Sequence, residues 1–240
     1  MKLACLCPTY GRPKLVQNAL ACFLAQTYPA ADRRLFILDD GQQIATQAAD
    51  CWQVLSCPVR YGSMKAKYDE LVSLANQWGA DAYVVWDDDD VYFPWHLTAH
   101  ASALATHKWS YPREVWSEGG GKLERERTGG NLHGSIAIGR ELLETLRGWP
   151  DTRRADFDLQ FIGRLLAFAP PGRPDAVYPP SYVFRWANTG ARHYQNFCRG
   201  HEDTTVYDRV QKSDPNHPWV ETLTAVFDAH TEFLFRTLVK

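Results

Sequence analysis

Three times in the first half of this 240-residue chain, an apolar run of strand length stops at a cluster of polar side chains. Residues 2–7 end at Pro8-Thr9-Tyr10-Gly11-Arg12-Pro13. Leu35-Phe36-Ile37-Leu38 ends at Asp39-Asp40-Gly41, and Tyr83-Val84-Val85-Trp86 ends at Asp87-Asp88-Asp89-Asp90. Helical patterns lie between them. Leu15, Val16, Ala19, Leu20, Phe23 and Leu24 share one face before Tyr28-Pro29, and Leu71, Leu74, Ala75 and Trp78 share another. A further strand is expected over Gln53 to Cys57. Strand–helix–strand alternation of this kind predicts an α/β fold, with a mostly parallel central sheet flanked by helices. Ligands of such sheets bind beyond the carboxyl ends of the strands. All three polar clusters fall there, so one site is expected.

The run of four aspartates constrains the chemistry. Like charges packed at the mouth of a buried strand repel, and burying them is costly unless a cation neutralises them. Hard carboxylate oxygens suit Mg²⁺ or Mn²⁺, which one or two carboxylates usually share with substrate phosphates. The plainer reading is that one aspartate caps a helix starting near Pro94 while the others are solvated. Capping needs one acid, not four.

The second half is less regular. Gly119 to Gly130 encloses Lys122-Leu123-Glu124-Arg125-Glu126-Arg127 and reads as a loop or hairpin able to close over a ligand. Leu132 to Ile138 reads as a strand and Glu141 to Leu146 as a short helix before Gly148-Trp149-Pro150. Asp156 to Phe168 reads as a helix burying Leu159, Ile162, Leu165 and Leu166, followed by a proline-rich connection over Pro170 to Pro180. The domain is expected to span 1–200, with a nucleotide-binding half over about 1–90 and an acceptor and catalytic half over 91–200. An amphipathic helical tail in 201–240, carrying Val220, Leu223, Phe227, Leu234 and Leu238, would pack on it.

A net charge of −2 gives no overall bias toward nucleic acid, and 13% aromatic residues favour a folded chain with aromatic-lined clefts. No apolar run approaches the ~18 residues of a membrane span, and the start of the chain does not read as a signal peptide. Cys5, Cys7, Cys22, Cys51, Cys57 and Cys198 show no CxxC spacing, and they read as reduced cysteines of a cytoplasmic protein.

Taken in order, Pro8-Thr9-Tyr10-Gly11-Arg12-Pro13, Leu24-Ala25-Gln26-Thr27-Tyr28-Pro29 and Ile37-Leu38-Asp39-Asp40-Gly41 resemble the opening of a family 2 glycosyltransferase. Val85-Trp86 through Asp87-Asp88-Asp89-Asp90 resembles that family's DxD segment. His133-Gly134-Ser135, Arg140-Glu141-Leu142-Leu143, Gly148-Trp149-Pro150 and Asp156-Phe157-Asp158-Leu159 resemble its acceptor-side pattern, so the likeness covers about residues 3–195. It implies the A-type glycosyltransferase fold, a nucleoside-diphosphate sugar donor (a UDP-sugar is favoured), Mn²⁺ or Mg²⁺, and inversion at the anomeric carbon. By the same resemblance Pro8, Thr9 and Tyr10, with Arg12 beside them, would line the nucleoside pocket. Asp39 would bind the base, with Asp40 in support. Asp87 would approach the ribose, with Asp88 next to it, and Asp89 would ligate the metal. Asp156 would be the general base. The sequence departs from the pattern at Asp69 (usually Asn), Gln42 (usually Ser) and Ala155 (usually acidic), and the last change leaves Asp156 and Asp158 both open as the base. The resemblance also offers the late His193 to the metal or the diphosphate. Lys65, Lys67, Arg192 and Arg199 are further candidates for diphosphate contact.

Two other readings use the same residues. A nucleotidyltransferase would share the sheet, aspartates and Mg²⁺, but Thr9-Tyr10-Gly11-Arg12-Pro13 makes a poor triphosphate loop. A non-catalytic carbohydrate- or nucleic-acid-binding module would use Trp95, Trp109, Trp116, Trp149 and Trp186 for stacking. The acceptor stays open among a glycan, a protein, a small molecule and a nucleobase. A lipid-linked acceptor is disfavoured.

Overall fold

In the computed structural model, residues 1–10, 13–42, 44–119, 122–152 and 156–185 are described. The expected C-terminal tail, His193, Arg12, Arg192, Arg199 and Trp186 lie outside these residues. β1 (Leu3–Thr9) and α1 (Pro13–Leu24) lead to β2 (Arg33–Asp39), an edge strand β3 (Gln47–Ala49) and β4 (Trp52–Ser56). α2 (Met64–Trp78) returns the chain to β5 (Ala82–Val85), which opens into the four aspartates, and β6 (Val91–Tyr92) and α3 (His96–Leu104) follow. β7 (Trp109–Ser110), β8 (Glu114–Gly119), β9 (Lys122–Arg127), β10 (Ala137–Gly139), α4 (Arg140–Thr145), α5 (Phe157–Phe168) and β11 (Tyr182–Arg185) complete the order.

The main sheet has seven strands in the order β3-β4-β2-β1-β5-β10-β7. β4, β2, β1 and β5 are mutually parallel, and β10 runs antiparallel to both β5 and β7. Thr9, Asp39 and Asp87 therefore emerge from one edge, as the alternation predicts. Successive residues of β1 point to opposite faces. Leu3, Cys5 and Cys7 join Ile37 and Val84 against α1 residues Leu15, Val16, Ala19 and Phe23. Ala4 and Leu6 join Phe36 and Tyr83 against Leu71 and Ala75 of α2 and Phe161 and Leu165 of α5. Cys5, Cys7 and Cys22 are buried and reduced, and Cys51 and Cys57 are half-buried and reduced. No helix among the described residues is long and apolar enough to cross a membrane.

A smaller sheet, β6-β11-β8-β9, covers the site end of the molecule. It contains the expected hairpin, whose strands β8 and β9 pair antiparallel from Glu114↔Arg127 to Gly119↔Lys122.

Two expectations need correction. Leu132 to Ile138 is not one strand: His133–Ser135 forms a 3₁₀ turn, because Ser135 turns both its N–H and its hydroxyl back to the Leu132 carbonyl (3.3 and 2.8 Å). Ladder pairing starts only at Ala137. α5 is rotated from the expected face, since Phe157 and Phe161 take the core and leave Leu159 and Leu166 46% and 47% exposed. α3 begins at His96 behind Trp95, without a side-chain cap, so the plainer capping reading of the four aspartates does not hold.

One buried ion pair fastens α2 to the working edge of the sheet. Lys67 Nζ lies 2.6 Å from Asp40 Oδ1, with both side chains fully buried, and donates to the Thr9 carbonyl at 2.8 Å. Removing one partner of such a pair strands the other charge. Lys67→Met is therefore expected to cost about 3–5 kcal/mol of stability. Asp40→Asn combined with Lys67→Met is expected to recover part of that loss, as read from urea-unfolding midpoints.

Candidate active site

The four aspartates divide by depth. Asp88 and Asp90 are buried, while Asp87 and Asp89 are half-buried. Thr9 Oγ1 donates to Asp88 Oδ2 at 2.5 Å, and the Tyr182 hydroxyl donates to Asp90. Burial, then the charges of Asp90, Tyr92 and Asp87, hold the Tyr182 phenol well above its ordinary pKa, so it keeps the proton it donates. The Tyr92 hydroxyl accepts from the Asp87 backbone N–H at 2.6 Å. These contacts turn the inner acids into supports, while Asp87 and Asp89 are the less buried pair of the loop.

Asp87 is held well above the usual carboxylate range, first by burial and then by Asp90, Asp89, Asp158 and Asp88. A site with that electrostatic character favours a cation. Among the described residues, no group of three or more His, Cys, Asp or Glu side chains is arranged to hold an ion with protein atoms alone. Two half-buried carboxylates of hard oxygen character still fit the way Mg²⁺ or Mn²⁺ is shared between a protein and phosphate oxygens.

The expected nucleotide-binding residues separate into two groups. Pro8 and Thr9 are buried, and Lys67 and Asp88 are committed to internal contacts. Thr9, Lys67 and Asp88 thus make internal contacts that support the site from below. Asp39 is buried and accepts from the N–H groups of Gly41 (2.8 Å) and Ile44 (2.9 Å), so its carboxylate shapes the turn after β2. Asp40 accepts from Tyr61 N–H at 3.0 Å. Gln42 in that turn has φ 54°, the left-handed region. Tyr10 is half-buried, with the Arg60 guanidinium 3.9 Å above its ring. Lys65 pairs with Asp69, four residues on.

On the other side of Asp87, Gly134 lies so close that an added Cβ would fall 2.5 Å from Asp87 Oδ2 and 2.6 Å from the Tyr182 hydroxyl. Its neighbour His133 is enclosed by Tyr68, Trp149, Phe157 and Phe161. Trp149 Nε1 donates to His133 Nε2 at 3.0 Å, and His133 Nδ1 lies 3.9 Å from Asp158 Oδ1. Burial pushes the His133 pKa down to about 3, so the ring is neutral. Asp156 occupies the N-cap position of α5 without capping it through its side chain, and accepts from Gln160 Nε2 at 2.9 Å. Sequence reasoning missed Arg60, Tyr182 and the link from His133 to Asp158. Arg60 alone carried a local signal, as a cation just past the carboxyl end of a strand.

No family model and no curated protein matches the sequence. Solved structures do match. TarS of S. aureus, residues 1–349 in complex with UDP-GlcNAc, superposes with a TM-score of 0.59 at 16% identity, over 80% of this chain and 60% of that one. The same TarS segment in complex with UDP gives 0.59 at 13% identity, over 92% and 72%. A mannosyltransferase, PcManGT from Pyrobaculum calidifontis in complex with GDP-Man and Mn²⁺, gives 0.57 at 16% identity, over 96% and 75%. The chain thus spans 60% of the TarS segment in the first of these matches. With its parallel sheet, its acid loop beyond β5 and these likenesses, the chain has a glycosyltransferase fold.

Proposed function

We propose that this protein is a metal-dependent, inverting glycosyltransferase that moves a sugar from a nucleoside-diphosphate sugar to an acceptor hydroxyl. The observation that carries the reading is the pair of half-buried carboxylates, Asp87 and Asp89, at the carboxyl end of the central strand β5. Thr9, Asp40 and Lys67 support them from the adjoining strands and α2. A structural likeness to proteins bound to UDP-GlcNAc, UDP and GDP-Man with Mn²⁺ agrees with it.

Asp89, with Asp87 beside it, would hold Mn²⁺ or Mg²⁺ together with the donor's phosphate oxygens. When bound, the cation would neutralise the charge that gathers on the departing diphosphate. Tyr10 and Arg60 would flank the nucleoside, the ring offering a stacking face and the guanidinium a positive charge. A carboxylate at the start of α5, Asp156 or Asp158, would take the acceptor proton as the hydroxyl attacks the anomeric carbon from the face opposite the leaving group. One displacement of this kind inverts that carbon. His193, outside the described residues, remains a proposed contributor to metal or diphosphate binding.

Calorimetric titration with UDP and GDP tests the centre of the site. Affinity is expected to be at least tenfold higher with Mn²⁺ than with EDTA, and Asp89→Asn is expected to erase the difference. Equal affinity in EDTA, unchanged by Asp89→Asn, would overturn the reading. Incubation with UDP-GlcNAc or GDP-mannose is expected to release UDP or GDP. Release of pyrophosphate from a nucleoside triphosphate incubated with a sugar 1-phosphate would mark a nucleotidyltransferase instead.

Gly134→Ala gives a second test. The added methyl has to displace the Asp87 carboxylate or the Tyr182 hydroxyl. Mn²⁺-dependent affinity for UDP is expected to fall about tenfold, ~1.4 kcal/mol, with native far-UV circular dichroism retained.

A further inference from the structure

Away from the acid loop, the base of the β8–β9 hairpin encloses a cavity of about 750 Å³, a volume suited to a small ligand or one end of a larger one. Three arginines line it: Arg113 just before β8, Arg127 at the end of β9, and Arg173 between α5 and β11. We propose that this cavity is an anion-binding subsite and, building on the glycosyltransferase reading, that it anchors a carboxylate or phosphate group of an acidic saccharide acceptor.

Guanidiniums gathered at one concavity repel unless an anion comes between them. Arg113 and Arg127 are exposed, and neither guanidinium makes a hydrogen bond or ion pair with the described residues. Two acids also line the cavity, and both are engaged elsewhere. Asp175 Oδ2 accepts from the backbone N–H groups of Arg113 (2.9 Å) and Glu114 (3.2 Å), and its Oδ1 is buried, so this carboxylate serves the backbone. Glu114 Oε2 lies 3.9 Å from Nη1 of Arg125, which is not part of the lining. A positive surplus remains. The guanidinium fork matches carboxylate and phosphate oxygens two at a time, which a point charge does not.

The walls are fixed before any ligand arrives. Arg173 Nη1 donates to the Tyr111 carbonyl at 2.9 Å, and its guanidinium lies over the Tyr111 ring. The hydroxyl of Tyr111, a buried residue, donates to the Thr128 carbonyl (3.3 Å) and accepts from the Leu132 N–H (3.4 Å). Thr128 N–H in turn donates to the Arg113 carbonyl at 3.0 Å. A site already ordered loses less affinity to the ordering of its parts. Leu166 adds an exposed apolar wall, which suits the C–H face of a sugar ring better than a bare ion.

The cavity stands apart from the acid loop yet within reach of it. Leu166 lies roughly 14 Å along α5 from Phe157 at the start of that helix. Gly130, in the cavity wall, is four residues before Gly134, the residue packed against Asp87, and that length of chain spans at most about 14 Å. An acceptor several sugar units long can rest an acidic group among the arginines while its terminal hydroxyl meets the donor beside Asp87.

Calorimetric titration in metal-free buffer compares trigalacturonate, neutral maltotriose and inorganic phosphate. Trigalacturonate is expected to bind at least tenfold more tightly than either of the others, and to weaken as salt is raised. Arg113→Gln combined with Arg127→Gln, both at exposed positions, is expected to lower its affinity at least tenfold with native far-UV circular dichroism retained. Phosphate binding as tightly as trigalacturonate would mark a site for a free anion and overturn the acceptor assignment. Absence of binding by either anion, or binding that neither salt nor the double substitution weakens, would overturn the subsite and leave the glycosyltransferase reading standing. If trigalacturonate binds through these arginines but the protein neither binds UDP with Mn²⁺ nor turns over UDP-GlcNAc or GDP-mannose, the acceptor role falls with that reading and the anion site alone survives.

Discussion

Two aspartates of the loop after β5 are committed inside the protein, and the two others stay only half-buried. Four carboxylates in sequence have no intrinsic preference for which pair points to solvent. Thr9 decides it for Asp88 and Tyr182 decides it for Asp90, each with a hydroxyl that donates into the interior. A neutral donor suits this task better than a cation. Lysine or arginine at either position would cancel the negative charge that makes the loop attractive to a metal, whereas a hydroxyl satisfies the oxygen and leaves the field intact. Lys67, a fully buried cation, sits a layer lower. There it offsets Asp40 and ties α2 to the end of β1.

This arrangement explains how far the sequence could be read. β1, β2 and β5 were legible because each is an unbroken apolar run buried on both faces, and each ends in residues that no core accepts. Their parallel alignment then put Thr9, Asp39 and Asp87 on one edge. The division of labour among the aspartates was not legible. It depends on Tyr182, ninety-two residues from Asp90, and on Thr9, seventy-nine residues from Asp88. No local pattern encodes either contact. The burial of Lys67 was not legible for a related reason: a lysine at the rim of a predicted site ordinarily faces solvent, and this one is buried against Asp40 at the end of β2.

The second half was harder because its periodicity competes with aromatic packing. On α5 the spacing of Leu159, Ile162, Leu165 and Leu166 suggests one apolar face. The larger rings of Phe157 and Phe161 win it, since they bury more surface and stack against Trp149 and around His133. That rotation moves Asp158 to the inner flank. Leu132 to Ile138 has strand composition, yet the Ser135 hydroxyl closes a 3₁₀ turn on Leu132. Local side-chain-to-backbone bonds of this sort compete with sheet ladders. β3 carried no signal, because all three of its residues are exposed at the sheet's edge.

The aromatic wall of Tyr68, Trp149, Phe157 and Phe161 has a further consequence for how the site keeps its shape. Carboxylates gathered in one place push their supports apart, so the structure that holds them must resist without adding charge. Stacked rings do this through dense dispersion contact and few rotatable bonds. Tyr68 belongs to α2, whose Lys67 is the next residue and holds Asp40, while Trp149 and Phe161 flank the turn that touches Asp87. The ion pair and the ring stack are thus adjacent steps on one helix. α2 binds the nucleotide-side strands through charge and the acceptor-side turn through aromatic packing, and the spacing between the two halves of the site is set by a single rigid element.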